Sequence, residues 1–409
     1  MLKLLNIRVN GYKLLEENFT FDFLTRTKVL ESDLEKEIFK IDTLLYSFRT
    51  LAVVGGNSSG KSTVLSLILK TIDFLSSGRW GYVEHEFKED KIGLSISFYL
   101  DGNIYFYSVN LLKNTSDEGR NRLYALIDNE SLFMKKYVKA KGKKNLENID
   151  DVDDVTSLYL QNSLKDTSAI INLVKENILV DAFTNNNVIA FDEGLLSNSF
   201  YNILDNSNKE LASSIIKLLD DSIEYIKSDS SDYVKFKRYN EDEQILKKIR
   251  LISILSSGTF RGIELYLRAI KAIKLGKVFI VDEIENCFQK NVVFNLIFLF
   301  NDERINKNNA QLIFSTHYTE ILDILNRQDS INITHKNNGR INIKNLKEYD
   351  IRVELSKSKQ FDNNTFNTSI NYQQLMEVRR NLINELYSNN DWRVWWKSID
   401  WCFDREENI

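Results

Sequence analysis

The sequence predicts an α/β fold in which a mixed core sheet lies beside an antiparallel β-layer. Three observations support this prediction. An apolar run at residues 51–54 leads through a glycine-rich loop into an amphipathic segment, which indicates a strand, a turn and a helix. Two further apolar runs, at residues 278–281 and 311–314, flank a helical segment and indicate a parallel βαβ unit. Residues 93–112 have the alternation of a β-hairpin.

The composition indicates a chain with a sizeable core. Of its 409 residues, 43% are hydrophobic, and this length exceeds that of one typical domain. The sequence has no apolar run approaching the ~18 residues of a membrane span. Residues 1–6 become polar too soon for a signal peptide. We therefore expect a soluble, cytoplasmic protein with no membrane partner.

The sequence gives little support for disulfide or metal-cluster chemistry. It contains two cysteines, Cys287 and Cys402, and three histidines, so neither a disulfide framework nor a zinc site is predicted. The net charge of −4 gives no global electrostatic case for nucleic acid. A local basic patch could still bind phosphates, which leaves DNA as a candidate partner.

Two strands are expected before the glycine-rich loop. Residues 3–9 and 18–24 alternate apolar and polar side chains, as half-buried strands do, and they predict a hairpin-like pair. Tyr12 lies in the connection between them. Its ring could stack on a nucleotide base, or it could belong to an ordinary surface loop.

Further antiparallel strands are expected after the loop and its helix. Residues 93–100 and 104–112 flank an Asp-Gly-Asn turn, and residues 122–127 form another strand-like stretch. Antiparallel strands in this position predict an accessory β-layer rather than a plain alternation of strands and helices.

The glycine-rich loop has the spacing of a phosphate-binding loop. Residues 55–63 read Gly-Gly-Asn-Ser-Ser-Gly-Lys-Ser-Thr, which fits G-x-x-x-x-G-K-[ST] between a buried strand and a helix. Glycines allow backbone N–H groups to surround phosphate oxygens at a helix N-terminus. Lys61 is expected to reach the β- and γ-phosphates, and the Ser62 hydroxyl to bind Mg²⁺. The predicted nucleotide-binding residues are Gly55, Asn57, Ser58, Gly60, Lys61, Ser62 and Thr63. The alternative is a strand-to-helix turn that binds nothing.

Residues 136–244 are predicted to form a mainly helical insertion. Residues 135–144 carry six lysines, and acids follow at residues 150–154. Adjacent blocks of opposite charge indicate a solvated loop, with a DNA-contacting strip as the alternative. Residues 155–177 and 209–227 have helical periodicity but lack the sustained heptads of a coiled-coil arm.

The second part of the predicted core starts with Leu-Ser-Ser-Gly-Thr at residues 255–259. Ser256 or Ser257 can cap the helix that follows, and Gly258 leaves backbone N–H groups bare. Gly276 is expected to end this helix.

Two buried strands follow that helix, and each ends in polar residues. The first ends at Asp282 and Glu283, and the second ends at His317. Residues 292–300 are helical between them, so the two strands are expected to be parallel neighbours.

The order of these parts resembles that of ABC-type ATPase heads, which are P-loop NTPases. In that resemblance residues 55–62 are the Walker A loop, residues 255–259 the signature, residues 279–283 Walker B, and His317 the switch histidine. Several stretches resemble more narrowly the overcoming-lysogenization-defect (OLD) class of ATPases: residues 2–12, 55–63, 127–133, 282–286 and 314–317. Together these resemblances cover about residues 1–135 and 245–335.

The resemblance implies ATP as substrate and Mg²⁺ as cofactor. Asp282 would hold Mg²⁺ through water, Glu283 would orient or activate the attacking water, and His317 would touch the γ-phosphate. Asn286 would face a second subunit. These roles suit phosphoryl transfer, which depends on positioning and charge neutralisation.

The resemblance also implies shared sites. A capped helix start that is not beside its own phosphate loop would serve the nucleotide of another protomer. The residues expected to act in trans are Ser256, Ser257 and Gly258, in a homodimer or a larger assembly.

The sequence departs from related patterns at several positions. Thr259 stands where transporter ATPases usually have glutamine, and Gln289-Lys290 stands where relatives often have His-Pro. Gln161 is a candidate Q-loop residue. Relatives that cleave DNA carry a Toprim domain with an Asp-x-Asp pair, and the residues after His317 contain no such pair. We therefore expect any nuclease or toxin to be a separate protein.

The resemblance implies an ATPase that senses or regulates a separately encoded effector in bacterial anti-phage or abortive-infection defence. Such subunits occur in Septu, PARIS, retron-associated and lactococcal systems. One alternative is a RecF- or SMC-like ATPase of DNA repair or chromosome maintenance. Another is a nucleotide-gated scaffold with slow turnover.

The expected organisation divides the ATPase core into two parts. Residues 1–135 and 245–345 form the core, residues 136–244 the insertion and residues 346–409 a helical tail. A helix is predicted at residues 370–386. Four of the chain's five tryptophans follow it and would pack on the body or anchor a partner: Trp392, Trp395, Trp396 and Trp401.

Overall fold

The computed structural model describes most of the chain and divides it into two compact units. The units are Met1–Gln360 and Phe361–Ile409. The described residues are 2–114, 124–146, 151–174, 177–178, 180–183, 209–229, 232–286, 288–349, 356–368 and 372–386.

The first unit contains a mixed six-stranded core sheet, as the sequence predicts. Its strand order is β10-β14-β15-β5-β16-β17, in which only the β16–β17 pair is antiparallel. The central strands are short and buried, as parallel strands covered on both faces must be. The strands are β5 (Thr50–Val54), β10 (Val180–Phe183), β14 (Val278–Val281), β15 (Gln311–Thr316), β16 (Ile331–Asn337) and β17 (Arg340–Asn345).

A second six-stranded sheet forms the predicted antiparallel layer. Its order is β2-β1-β6-β7-β8-β9, and every pair in it is antiparallel. Both predicted hairpin pairs are present, whereas the strand expected at residues 122–127 lies mostly later. The strands are β1 (Lys3–Asn10), β2 (Phe19–Asp22), β6 (Lys91–Leu100), β7 (Asn103–Leu112), β8 (Leu126–Lys136) and β9 (Asp153–Asp154). The hairpin β3 (Ile38–Asp42) and β4 (Leu45–Phe48) precedes β5.

Helix α2 (Lys61–Ser77) joins the two sheets into one core. Its buried apolar face belongs to a single cluster that also contains Leu51 and Val53 of β5 and Tyr107 of β7. The Phe74 and Tyr107 rings are 6.1 Å apart. The phosphate loop therefore leads into a helix that is fixed along most of its length.

Tyr12 also fixes this helix, and both sequence interpretations of it are wrong. The side chain is buried, and its hydroxyl lies 3.1 Å from Ser66 Oγ and 3.3 Å from Glu86 Oε1. Lys13 and Lys70 both pair with the buried Glu86 carboxylate. Burial, together with the Glu86 charge, raises the pKa of Tyr12 far above its usual value. Tyr12 is thus a structural link between the antiparallel layer and α2, not a base-stacking or surface residue.

The region at residues 136–244 mixes helices and strands in its described part, where a mainly helical insertion was expected. Helices α3 (Thr156–Tyr159) and α4 (Ile170–Val174) are short, and α5 (Lys209–Leu219) ends before β11 (Ile223–Ser228). Strand β10 of this region belongs to the core sheet. A three-stranded sheet combines β11 with β12 (Tyr233–Arg238) and β13 (Gln244–Lys247).

The lysine-rich stretch is part of the ordered structure. Its last part forms 3₁₀ turns over Lys139–Leu146, in which the buried Asn145 amide donates to the carbonyls of Val138 and Gly142. The acid at position 150 lies outside the described residues, as do Cys287, Cys402 and the four tryptophans of the tail.

The remaining helices are distributed over both units. They are α1 (Glu31–Leu34), α6 (Lys248–Ile254), α7 (Ser257–Leu275), α8 (Lys290–Asn301), α9 (Ile321–Ile324), α10 (Lys357–Asp362) and α11 (Tyr372–Leu386), with 3₁₀ turns at Glu84–Glu86, Gln328–Ser330 and Leu346–Glu348. Helix α11 coincides with the helix predicted at residues 370–386. Within the described ranges, no helix combines the length and apolar character needed to cross a membrane.

Candidate functional site

The candidate site lies at the carboxyl edge of the core sheet. Strands β14, β15 and β5 are parallel neighbours, with Val281 opposite Phe314 and Thr316 opposite Val54. Because their carboxyl ends share one edge, the three following loops meet there. These loops contain the three motifs that the sequence separates: the phosphate loop, the Asp-Glu pair and His317.

The phosphate loop has a backbone that requires glycine. Gly60 has φ +104°, in the left-handed region, and starts α2. At Gly55, a Cβ would lie 2.6 Å from the Thr334 carbonyl oxygen and from the Thr334 hydroxyl. The loop therefore lies against β16, and a side chain at position 55 would push it away.

Thr334 also holds the loop by hydrogen bonds. Its fully buried hydroxyl donates to the Val54 carbonyl (3.1 Å) and lies 2.7 Å from Ser59 Oγ. Ser59 is buried, whereas Asn57, Ser58 and Ser62 are exposed. The contacts with Thr334 thus fix the loop, while Asn57, Ser58 and Ser62 remain exposed.

Lys61 lies in the field of the acids after β14. Its side chain is 6% exposed, and its Nζ donates to the carbonyl oxygens of Gly55 (3.0 Å) and Gly56 (3.1 Å). Burial lowers the Lys61 pKa, and the charges of Asp282, Glu285 and Glu283 act in the opposite direction. The structure therefore brings the loop lysine and the predicted acids into one electrostatic site.

Ser315 organises the turn that carries the two acids. Its hydroxyl donates to Asp282 Oδ1 and accepts from the Glu283 N–H at 2.7 Å. Its carbonyl accepts from the Ile284 N–H at 3.0 Å. Glu283 has φ +52°, which is uncommon for a residue other than glycine and costs free energy. The bonds to Ser315 hold this unfavourable backbone in place.

His317 lies beside Glu283. Its Nε2 is 4.0 Å from Glu283 Oε1, and the two side chains are 36% and 41% exposed. The His317 N–H donates to Glu285 Oε1 at 2.5 Å. The amide of Asn286 approaches Glu283 Oε2 at 3.4 Å. Both predicted catalytic side chains therefore reach solvent at the same place.

The donor set at this edge suits Mg²⁺. The Ser62 hydroxyl and the Asp282 carboxylate provide hard oxygen ligands of the type Mg²⁺ prefers. Ser62 is exposed and Asp282 is partly exposed, so a cation can reach both. The part of the chain that the structure describes holds no cluster of three or more His, Cys, Asp or Glu side chains able to bind a metal by themselves.

The turn predicted as the signature, residues 255–259, contains the expected helix cap. Ser256 caps α7, since its Oγ accepts from the Thr259 N–H at 3.0 Å. Ser257 is exposed and Gly258 is partly exposed. Among the described residues, no hydrogen bond joins Ser256, Ser257 or Gly258 to residues 55–63. Gln161, the candidate Q-loop residue, lies in an exposed turn after α3.

A comparison with protein families identifies the fold of the site independently. Residues 51–323 match the family model described as "AAA domain, putative AbiEii toxin, Type IV TA system". This match covers more than half of the chain and includes the phosphate loop, both acids and His317. The chain belongs to this AAA domain family. It is therefore a P-loop ATPase by family, with an α/β fold.

Other comparisons add little to the AAA domain assignment. The SMC head domain from Thermotoga maritima matches with 14% sequence identity and a TM-score of 0.38, covering 84% of this chain and 98% of that chain. A search of curated proteins finds no match to the sequence.

Sequence reasoning assigned no role to three residues of the site. Thr334, Ser315 and Glu285 act through contacts with residues distant in the sequence, although Ser315 and Glu285 lie in stretches that carry the OLD-class resemblance. Two signals were available. Ser315 follows directly on three apolar residues of its strand, and Glu285 is a third acid two residues after Glu283.

Proposed function

We propose that this AAA domain binds and hydrolyses ATP with Mg²⁺ at the carboxyl edge of its core sheet. The observation that carries the proposal is the convergence of the three loops after β5, β14 and β15. Lys61 precedes the two acids and His317 by more than 200 residues in the sequence, yet the charges of Asp282 and Glu283 act on its pKa. The convergence of a lysine, two acids and a histidine favours a phosphate-binding site over a glycine-rich turn that binds nothing.

Each residue of the site would have a separate role in phosphoryl transfer. Backbone N–H groups of residues 55–63 and the Lys61 ammonium would bind the phosphates. Ser62 and Asp282 would hold Mg²⁺, which when bound neutralises phosphate charge. Glu283 would orient the attacking water and accept its proton, and His317 would donate a hydrogen bond to the γ-phosphate.

We further propose that each ATP site is completed by a second copy of the chain. Ser257 and Gly258 lie at the start of α7, where backbone N–H groups and the helix dipole favour an anion. Since no described bond joins them to their own phosphate loop, the γ-phosphate of a partner's nucleotide is their natural ligand. Asn286 would then lie near the same interface.

The biological role that we propose is regulation of a separate effector in anti-phage defence. The family description names a putative AbiEii toxin and a Type IV TA system. The sequence resemblance to OLD-class ATPases supports the same setting. Nucleotide-dependent association of two copies would provide the switch that the effector senses.

Two variants test the ATPase proposal. Lys61→Ala removes a buried charged donor and should weaken ATP binding by about 10- to 100-fold. Glu283→Gln keeps the shape of the side chain but not its basicity, so turnover should fall by about 100-fold or more while ATP binding is retained. ATP binding and phosphate release are the measurements.

Matched surface variants serve as controls. Lys271→Ala and Glu241→Gln change the same residue types at exposed positions and should behave as the wild type. Unchanged ATP affinity in Lys61→Ala, or wild-type turnover in Glu283→Gln, would contradict the proposal.

A further inference from the structure

Glu285 is a buried carboxylate with an unusual set of contacts. It is 7% exposed, although it follows directly on a turn whose other acids reach solvent. Its Oε1 accepts from the His317 N–H at 2.5 Å. Its Oε2 is also buried, and among the described residues it accepts no hydrogen bond. Burying a polar group of this kind costs free energy unless a hydrogen bond compensates.

One hydrogen bond provides that compensation. It comes from the His317 N–H, so Glu285 contacts the backbone of the histidine rather than its ring. The Glu285 charge also acts against the lowering of the Lys61 pKa by burial.

The same turn is joined to the histidine strand at several points. Ser315 bonds to Asp282 and to the N–H groups of Glu283 and Ile284, and Glu285 bonds to His317. The first three contacts fix the acids. Of these contacts, the bond from His317 to Glu285 alone reaches beyond the end of β15. His317 directly follows that strand, and its side chain is 36% exposed.

We propose that Glu285 is a positioning residue for His317. The inference rests on the proposed ATPase function and adds a residue to it. By accepting the His317 N–H, Glu285 sets the distance of the imidazole from Glu283 and from the phosphate side of the site.

The test is a double-mutant cycle on ATP turnover with the full-length protein. Glu285→Ala should lower kcat by about 100-fold, because a displacement of about 1 Å at a reacting group can cost that much. The KM for ATP should change by less than about 3-fold, since binding depends on the phosphate loop. In a His317→Ala background, the same Glu285→Ala change should alter kcat by less than about 3-fold, because nothing remains to be positioned.

Glu285→Gln keeps the acceptor oxygen and serves as the conservative variant. It should retain most of the wild-type kcat and confirm that a folded protein can carry a change at this position. Glu241→Ala, a change of an exposed carboxylate, is the matched control and should have no effect.

The outcomes separate the two proposals. A wild-type protein that does not turn over ATP would overturn the ATPase function itself. With turnover in the wild type, equal losses from Glu285→Ala in the presence and absence of His317 would overturn the positioning role alone. So would a Glu285→Gln variant as impaired as Glu285→Ala.

Discussion

At the scale of single residues, Asp329 joins the N-terminal segment to the strand that supports the phosphate loop. It is 2% exposed, and its Oδ2 accepts from the N–H groups of Arg26 (2.8 Å) and Thr27 (3.0 Å). Arg327 donates to it at 2.7 Å and also pairs with Asp33 at 2.6 Å. Burial acts to raise the Asp329 pKa, but the bonds from Arg327 and the backbone outweigh it, so the pKa is lowered.

Replacing Asp329 should therefore destabilise the fold strongly. Asp329→Asn leaves the Arg327 guanidinium with the partly exposed Asp33 as its remaining counter-charge, and we expect a loss of about 3 kcal/mol in the free energy of unfolding. Glu348→Ala removes the exposed partner of Arg26 and should cost no more than about 1 kcal/mol. Denaturant titration at neutral pH measures both losses.

The stability difference between the wild type and Asp329→Asn should depend on pH in a defined direction. The folded pKa of Asp329 lies below the ordinary value of 3.8, so its contribution is present above that value and is lost as the pH falls through the folded pKa. The stability gap between the wild type and Asp329→Asn should narrow below about pH 4. A gap that stays constant, or that is small at neutral pH, would contradict this account.

Motif spacing predicts residues whose partners are near in the sequence. Lys61 and Ser62 follow their glycines directly, so the chemistry is visible in nine consecutive letters. Thr334 supports the same loop from a position 275 residues after Ser59. Only the strand order of the sheet brings them together, and no local pattern carries that information.

At the scale of elements, β16 is the support of the phosphate loop. Thr334→Val keeps the side-chain volume but leaves the Val54 carbonyl without its side-chain donor in a fully buried place. We expect a loss of about 1–3 kcal/mol in the free energy of unfolding and weaker ATP binding. Thermal unfolding and ATP titration are the measurements.

Thr334→Ser is the matched control for this element. It keeps the hydroxyl and loses a methyl group, so it should cost less than Thr334→Val and leave ATP affinity close to wild type. If the serine variant were the weaker of the two, the hydrogen bonds of Thr334 could not be what holds the loop.

Element types were predictable where the periodicity was long or the burial complete. Helix α7 and strands β5, β14 and β15 lie where the sequence indicates. The stretch at residues 209–227 was predicted as one helix, but α5 ends at Leu219 and β11 begins at Ile223. Short apolar runs fit either period, and here pairing with β12 decides the outcome. The pairing of β11 with β12 is a tertiary contact, so the local sequence of residues 223–228 does not reveal it.

At the scale of the whole molecule, the proposed ATP site is divided between two copies of the chain. The phosphate loop, the acids and His317 meet at one sheet edge, whereas the signature turn is built at the start of α7 without a bond to that loop. Each chain would thus contribute a phosphate loop to one site and a signature turn to the other. ATP binding would then be coupled to the association of two copies, and a separate effector could respond to that association.

A mixture of two inactive variants tests whether ATP sites are shared between copies of the chain. Lys61→Ala disables the phosphate loop, and Gly258→Asp places a negative charge where the partner's γ-phosphate would bind. In an equimolar mixture, half of the dimers combine both variants and contain one intact site. ATP turnover should therefore recover to about a quarter of the wild-type level, although neither variant is active by itself. Turnover in the mixture no higher than the average of the two separate variants would contradict shared sites.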